Sequence, residues 1–409
     1  MSIKRSPQPP KVVTIVGGGA SAHALIALLS GRDLQVQLLT RRPNDWLHNV
    51  ELQLQSVEQE ILRTFSGHLT RVSSHPIEVI PNSDIVVLCM PVHAYRYALH
   101  RIAKYLPHDR LVCIGTLYGQ GGFNWMVKEI SKKFTLNHLV TFAVGLLPWI
   151  CRVREYGRVG VIYGGCKSVN IAAVAPHHFF GFLNDFFFSA ICKDWFETGT
   201  FHQAENFLSL TLSVDNQIIH PARCFGLYTR DGGKWSKLEE VPYFYRDFDD
   251  FSAHILSELD ADYSMIRDGV KKHFPDIYFS YMLDYLSLER LSYQSTNSNI
   301  RDSFTTSKTL GAIKPPIRQL DTGEWEIDTS HRFFTDDIDY GLCIAQWIAY
   351  QIGYSVPTID MVVNWARSLC VERYTKTGEK FIKEESPSDP FPSGIPPVYG
   401  METINDIMG

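Results

Sequence analysis

The 409-residue chain contains no Cys-x-x-Cys pair, no Asn-x-Ser/Thr sequon and no uninterrupted apolar run of membrane-spanning length, about eighteen residues. The first absence excludes the usual zinc-ribbon and dithiol redox motifs; no His-Glu-x-x-His pattern replaces them, and we expect no metal site. The absence of sequons and spans favours a soluble, cytoplasmic protein. The eight cysteines are too sparse for a disulfide scaffold, so we expect buried, reduced thiols.

The chain also lacks an excess of positive charge. It has 39 Lys and Arg against 44 Asp and Glu, a net charge of -5, and we therefore expect neither nucleic acid nor a membrane as partner. Hydrophobic residues make up 45% and charged residues 20%, which is typical of a globular protein. At about 150 residues per domain, the length predicts two or three domains. The expected assembly is a monomer or a homodimer.

Short apolar strands alternate with amphipathic helices in the first half of the chain. VVTIV at 12–16 and QVQLL at 35–39 are followed by DIVVLCM, RLVCIGT and LVTFAVG. This alternation predicts an α/β fold, a Rossmann-type doubly wound parallel sheet. After about residue 200 the pattern becomes mainly α-helical. The predicted divisions are an arm at 1–11, the sheet domain at 12–200, a helical domain at 201–375 and an irregular tail at 376–409.

The first strand leads directly into Gly17-x-Gly19-x-x-Ala22, with Ala20 at the start of a helix. In this fingerprint the first glycine permits a tight turn and the second lets the backbone approach a pyrophosphate. The third small residue lets the helix pack on the strand. The position of the motif between a strand and a helix predicts a dinucleotide site. The alternative is an ordinary glycine-rich turn.

The end of the second strand bears on which dinucleotide binds. Sites selective for NAD usually carry an acidic residue there, but this strand ends in Thr40, Arg41 and Arg42. Guanidinium groups suit a 2′-phosphate, so the sequence favours NADP(H). Asp45 leaves NAD(H) open, and the two arginines could instead be solvated loop charges. Pro91, after the third predicted strand, is a candidate wall of the cofactor crevice.

Two polar groupings lie in the helical half. Asn216 and His220 share a face of a helix at the i, i+4 spacing, and Pro221 predicts that the histidine sits at the end of that helix. The other grouping is the segment 331–338, HRFFTDDI. Taken alone, a single histidine is more often structural, and an acidic run is typical of an exposed helix start.

Five motifs in order resemble the opine dehydrogenases, the octopine and nopaline dehydrogenase-like enzymes. They are the Gly17–Ala22 fingerprint, LPWICRVREYGR at 147–158, Asn216-x-x-x-His220-Pro221, Arg332-Phe-Phe-x-Asp-Asp337 and VPTIDMVVNWA at 356–366. The resemblance covers about residues 12–370. It implies a two-domain cleft in which NAD(P)H reduces the imine formed from an amine and an α-keto acid, commonly pyruvate.

The resemblance also assigns roles to residues. His220 becomes the acid/base and Asp337 its partner, with Asp336 the rival for that role; Arg332 and Asn216 become substrate-binding residues. These roles are chemically sound, because a histidine moves protons near neutral pH and an arginine grips a carboxylate bidentately.

Several alternatives stay open in the sequence. One is a plain NAD(P)-dependent dehydrogenase of a hydroxy acid or of glycerol 3-phosphate, and another is a dinucleotide sensor without catalysis. The sequence does not identify the amine. Arg223, close to His220, would either favour an acidic or sulfonate amine or simply reach solvent.

Overall fold

A computed structural model describes residues 8–56, 58–305, 311, 313–369 and 393–408. The chain divides into two compact units, a sheet unit of residues 1–119 and 123–210 and a helical unit of residues 120–122 and 211–409. Residues 1–7 of the predicted arm and 376–392 of the predicted tail lie outside the described ranges. Across those ranges, none of the helices combines the length and the apolar character needed to cross a bilayer.

The sheet unit contains one sheet of eleven strands. In chain order they are β1 Val12–Val16, β2 Gln35–Leu39, β3 Asn49–Gln55, β4 Ile61–Ser73, β5 Ile85–Leu88, β6 Val112–Thr116, β7 Leu139–Val144, β8 Trp149–Glu155, β9 Val159–Cys166, β10 Val169–Ala175 and β11 Thr200–Ala204. Six of them run parallel in the order β4-β2-β1-β5-β6-β7, and the change of direction at β1 confirms the doubly wound arrangement. Strands β3, β9 and β8 extend one edge, and β10 and β11 extend the other.

Helices of the sheet unit cover this sheet. They are α1 Ala20–Leu29, α2 Pro76–Val79, α3 Tyr95–Ala103, α4 Phe123–Phe134, α5 Phe180–Leu183, α6 Ser189–Ile191 and α7 Lys193–Phe196, with a π-helical turn at Asn184–Phe188. Eight of the ten residues of α1 are buried, because this helix lies in the middle of the hydrophobic core. Its first turn therefore has a fixed position against the end of β1.

The helical unit is built around one long helix of 24 residues, Asp250–His273. Its helices are α8 Phe207–Thr211, which begins in the sheet unit, α9 Asn216–Asp231, α10 Asp250–His273, α11 Tyr285–Tyr293, α12 Ile300–Thr305, α13 Arg332–Thr335, α14 Cys343–Gln351 and α15 Pro357–Leu369. Helices α9, α14 and α15 pack on α10. A π-helical segment, Ile338–Leu342, joins α13 to α14, and a small sheet holds β12 Lys234–Trp235, β13 Ile317–Gln319 and β14 Trp325–Ile327.

The expectation that Pro221 ends a helix at His220 is wrong. Helix α9 begins at Asn216 and runs on to Asp231, where Gly232 closes it at a φ of +66°. The proline removes a single backbone donor in the second turn. Ten residues of this helix from 217 to 227 are buried, and this packing outweighs the local preference.

Candidate functional site

The glycine-rich turn lies between β1 and α1. Gly17 has a φ of +111°, and a Cβ atom at this position would lie 2.4 Å from the carbonyl oxygen of Cys89, so only glycine fits. Gly19 is the N-cap of α1, and a Cβ atom there would lie 3.6 Å from the same oxygen, an ordinary van der Waals distance. The packing of the protein therefore does not itself require glycine at position 19, whereas a bound pyrophosphate would.

The small residues after the glycines begin α1. Ala20 is its first residue and is half-buried, and Ala22 is fully buried in the core. The turn thus presents backbone N–H groups at the start of a ten-residue helix, which is the arrangement that holds phosphate groups. The residues present fit a dinucleotide.

An aromatic group that the motif did not indicate packs against this turn. The ring of His23 lies 4.4 Å from that of Trp46 and 5.7 Å from that of Tyr156. His23 is hydrogen-bonded through Nδ1 to the carbonyl of Gly19 and accepts the backbone N–H of Gly157 at Nε2, both at 2.9 Å. Burial lowers the pKa of His23, which keeps the ring neutral. Only the YGR part of the 147–158 motif gave a signal for this group.

The residues predicted to select the dinucleotide follow β2. Thr40 is buried, while Arg41 and Arg42 are exposed. The Arg42 guanidinium lies 3.9 Å from the centre of the Tyr156 ring and 3.5 Å from the Asp45 carboxylate. Arg42 therefore has a defined position beside the glycine-rich turn and also has an acidic neighbour.

Pro91, the candidate wall of the crevice, lies just beyond the carboxyl end of β5 and is exposed. Strand β5 runs parallel to β1, so the carboxyl ends of the two strands lie on the same side of the sheet. The proposed cofactor residues therefore belong to a single unit of the chain.

The helical unit brings together two residues that are 117 positions apart. His220 Nδ1 lies 2.7 Å from Oδ2 of Asp337, the favoured of the two candidate aspartates. His220 Nε2 lies 3.0 Å from the hydroxyl of Tyr245, a residue that the sequence did not indicate. The imidazole is stacked on the ring of Phe333 at 3.5 Å and 18°. Both nitrogens and one face of His220 are thus occupied.

Burial governs the charge of this pair. It lowers the pKa of His220 well below its ordinary value, and the nearby positive charge of Arg332 lowers it further. Burial raises the pKa of Asp337 well above its ordinary value, and Arg332 opposes that shift. The charge of Arg332 favours the carboxylate form of Asp337. Beside a carboxylate, Nδ1 must donate, which leaves Nε2 as an acceptor for the Tyr245 hydroxyl.

The segment 332–337 owes its pattern to a short helix followed by a π-helical turn. Arg332 begins α13 and is exposed, Phe333 covers His220, and Asp337 follows the helix at the position where it meets Nδ1. The interpretation of the acidic run as an exposed helix start is wrong. Asp336, Asp337 and Asp339 are 8%, 6% and 2% exposed. A π-helical insertion of this kind often occurs at functional sites.

Asn216 and Arg223 flank His220 on α9. Asn216 is half-buried at the first residue of the helix, one turn before the histidine. Arg223 is fully buried, so both of its sequence interpretations are wrong: it neither reaches solvent nor presents its charge to an amine. Its guanidinium pairs with Asp249 at 2.6 Å and donates to backbone carbonyls of residues 243–247.

Cysteine and metal chemistry add little to the site. Seven cysteines are described and all are free; six are buried, as expected, and Cys166 is half-buried, while Cys370 lies outside the described ranges. Among the described residues, no group of three or more His, Cys, Asp or Glu side chains is arranged to hold a metal ion.

Comparison with known proteins points to one group of enzymes. A family described as "NAD/NADP octopine/nopaline dehydrogenase, alpha-helical domain" matches residues 203–370. The octopine dehydrogenase of Mizuhopecten yessoensis is 26% identical over 97% of this chain and 98% of that protein. The tauropine dehydrogenase of Arabella iricolor is 23% identical over 97% of this chain and 100% of its own length.

Solved structures confirm the predicted fold class. Octopine dehydrogenase in complex with NADH and L-arginine has a TM-score of 0.76 at 22% identity, covering 97% of this chain and 98% of that one. Yersinopine dehydrogenase with NADP+ bound has a TM-score of 0.66 at 12% identity, covering 96% and 99%. Both match the whole succession of a Rossmann-type domain and a helical domain.

Proposed function

Since the chain belongs to the opine dehydrogenase family, we propose that it joins an amine to an α-keto acid by NAD(P)H-dependent reductive condensation. Pyruvate is the favoured keto acid, and an amino acid or related amine is the other substrate. The observation that carries the proposal is the buried His220–Asp337 pair, because two distant motifs meet there to form an acid/base group.

His220 would first act as a base. Its lowered pKa keeps it neutral at pH 7, so it can take a proton from the ammonium form of the amine, which then attacks the keto carbon. The resulting imidazolium is stabilised by the Asp337 carboxylate. It returns the proton to the hydroxyl that leaves as water when the imine forms. Asp337 also holds the ring in one orientation throughout.

Arg332 and Asn216 would bind the substrates. The exposed guanidinium of Arg332 lies at the start of α13 and can grip the keto-acid carboxylate with two hydrogen bonds. Asn216, one turn before His220, can hydrogen-bond a substrate polar group. Such contacts orient the carbon that is reduced and so raise the rate by positioning.

The dinucleotide would supply the hydride that reduces the imine. Gly17, Gly19, Ala20 and Ala22 would hold its pyrophosphate, with Pro91 at the edge of the crevice. Thr40, Arg41 and Arg42 would contact the adenosine ribose. Because Arg42 has a defined place on the Tyr156 ring, we favour NADP(H), while its pairing with Asp45 leaves NAD(H) open.

The decisive experiment measures oxidation of NADPH and of NADH with pyruvate, with and without a pool of amino acids and taurine. Oxidation that needs both keto acid and amine supports the proposal, and separating the pool identifies the amine. Oxidation with the keto acid alone would instead indicate a hydroxy-acid dehydrogenase. Tight dinucleotide binding without turnover over a wide panel of amines and keto acids would indicate a sensor.

A further inference from the structure

The imidazole of His220 offers no open nitrogen in this structure. Asp337 occupies Nδ1 at 2.7 Å and the Tyr245 hydroxyl occupies Nε2 at 3.0 Å. Phe333 is stacked on one face, the ring of Phe244 approaches edge-on at 5.6 Å, and the histidine is 3% exposed. In this arrangement, a proton that enters or leaves Nε2 passes through the Tyr245 hydroxyl.

The position of Tyr245 is set from the same helix that carries His220. Arg223 lies three residues after the histidine, and its guanidinium donates to three backbone carbonyls of the segment 243–247 at 2.8–3.2 Å. It also pairs with Asp249, the N-cap of α10, at 2.6 Å. Burial of a guanidinium is costly unless its donors are paired, and here four hydrogen bonds to this turn pair them. Arg223 therefore holds the backbone on both sides of Tyr245.

We propose that Tyr245 is a catalytic residue, the hydroxyl through which protons pass between the substrate and His220. This inference rests on the proposed reductive condensation. The ammonium N–H of the amine gives its proton to the Tyr245 oxygen while the Tyr245 O–H proton moves to Nε2. The amine keeps the electron pair, His220 becomes imidazolium, and Tyr245 stays a neutral hydroxyl. The reverse transfer protonates the hydroxyl that leaves the carbinolamine carbon as water.

Two matched variants of the full chain test this role. Tyr245→Phe removes only the hydroxyl and keeps the ring that packs on Phe244 at 4.9 Å. Tyr243→Phe is the control, since the Tyr243 ring lies in the same turn but faces Arg246 at 3.7 Å. We expect kcat to fall about a hundredfold in Tyr245→Phe and to stay within about twofold of wild type in Tyr243→Phe. The melting temperature and the Kd for NADPH should be unchanged in both.

Two further readouts respond to the relay and not to packing. The rate in mixtures of H₂O and D₂O should depend on the deuterium fraction as a curve in the wild type, since two protons move together, and as a straight line in Tyr245→Phe. The ¹⁵N resonance of His220 Nε2, assigned by its loss in His220→Asn, should move in Tyr245→Phe without any substrate present.

The outcomes separate this inference from the proposed function. If the wild type turns over and Tyr245→Phe is equally fast, substrate displaces the hydroxyl and the relay is overturned. If no pair of an amine and a keto acid makes the wild type oxidise NAD(P)H, the proposed function fails. In that case the ¹⁵N resonance still tests the contact between the Tyr245 hydroxyl and His220 Nε2. An unchanged resonance in Tyr245→Phe overturns this contact, and a shifted resonance supports it.

Discussion

The two units hold their candidate residues in different ways. In the sheet unit, the residues proposed for the dinucleotide follow the ends of neighbouring strands, and most of them stand within thirty positions of one another, from Gly17 to Arg42. In the helical unit, His220 on α9 and Asp337 in the turn after α13 are 117 positions apart, and a fully buried arginine organises the turn beside them. A binding site for a common cofactor can be local, whereas the acid/base site depends on tertiary packing.

This difference predicts that the units can be damaged separately. A change in the helical unit should remove chemistry and leave dinucleotide binding intact, because the described hydrogen bonds of His220 lie within that unit. A change in the glycine-rich turn should remove dinucleotide binding and leave the histidine pair in place. Substitutions at His220, the two glycines, Arg332 and Arg42 test whether the two units fail independently.

The largest effect is expected from His220→Asn. Asparagine cannot take up the amine proton as the imidazole paired with Asp337 does. The value of kcat/KM should therefore fall by about 10²–10⁴-fold. NADPH binding, measured by fluorescence titration, should stay within about twofold of wild type. A variant that keeps most of its kcat/KM with the identified substrates would show that His220 is not the acid/base.

The local and the assembled site also differ in how far the sequence predicts them. The bounds of β1 and β2, the helix after the glycines and the i, i+4 relation of Asn216 and His220 are all confirmed, because each depends on neighbours in the chain. No spacing rule links Tyr245 to His220 or indicates that Arg223 would be buried. Those contacts exist only once the segment before α10 has folded onto α9.

Strand β4 and the strands beyond it in the sheet were missed for a related reason. In β4, buried positions alternate with exposed polar ones around Gly67, so the strand has no continuous apolar run like that of β1. Phe65 and Leu69 are buried in the core that they share with α1, which packs on β4. A strand with one polar face gives a weaker sequence signal than a strand of the buried centre.

The second largest effect is expected in the glycine-rich turn. In Gly17→Ala the new methyl group would meet the Cys89 carbonyl at a φ of +111°, so we expect about 1–3 kcal/mol of lost stability together with loss of NADPH binding. In Gly19→Ala the methyl group has room in the protein itself, at 3.6 Å from the same oxygen. This variant should keep the wild-type melting temperature but should bind NADPH at least tenfold more weakly than the wild type does.

Calorimetry and fluorescence titration on the two alanine variants distinguish folding from binding. Normal NADPH affinity in Gly19→Ala would contradict the close approach of a pyrophosphate at this residue. An unchanged melting temperature in Gly17→Ala would contradict the steric argument for the first glycine.

A smaller effect is expected from Arg332, which connects binding with the pH dependence of the acid/base pair. Its positive charge lowers the pKa of His220, so in Arg332→Gln that pKa should rise. On the acid limb of the kcat/KM profile, His220 is protonated and cannot accept a proton. This limb should therefore move to higher pH in Arg332→Gln. The KM for the keto acid should rise by about tenfold to a hundredfold.

Arg332→Lys is the matched control for charge. It keeps the positive charge and should keep the acid limb near its wild-type pH, while losing the bidentate grip and raising the KM for the keto acid. If Arg332→Gln changes neither the KM nor the acid limb, Arg332 neither binds the carboxylate nor influences His220.

The smallest effect is expected from Arg42, whose side chain is 61% exposed and therefore largely screened by solvent. In Arg42→Ala the Kd for NADPH should rise about tenfold, from loss of a charge-assisted contact to the 2′-phosphate, and the Kd for NADH should hardly change. The wild-type preference should weaken as salt is raised, because the charge is exposed. Arg42→Lys should retain part of the preference for NADPH.

Equal weakening for NADPH and NADH in Arg42→Ala would contradict this role. It would mean that Arg42 and the Tyr156 ring contact a part shared by both dinucleotides. The selectivity would then have to come from another residue near the end of β2.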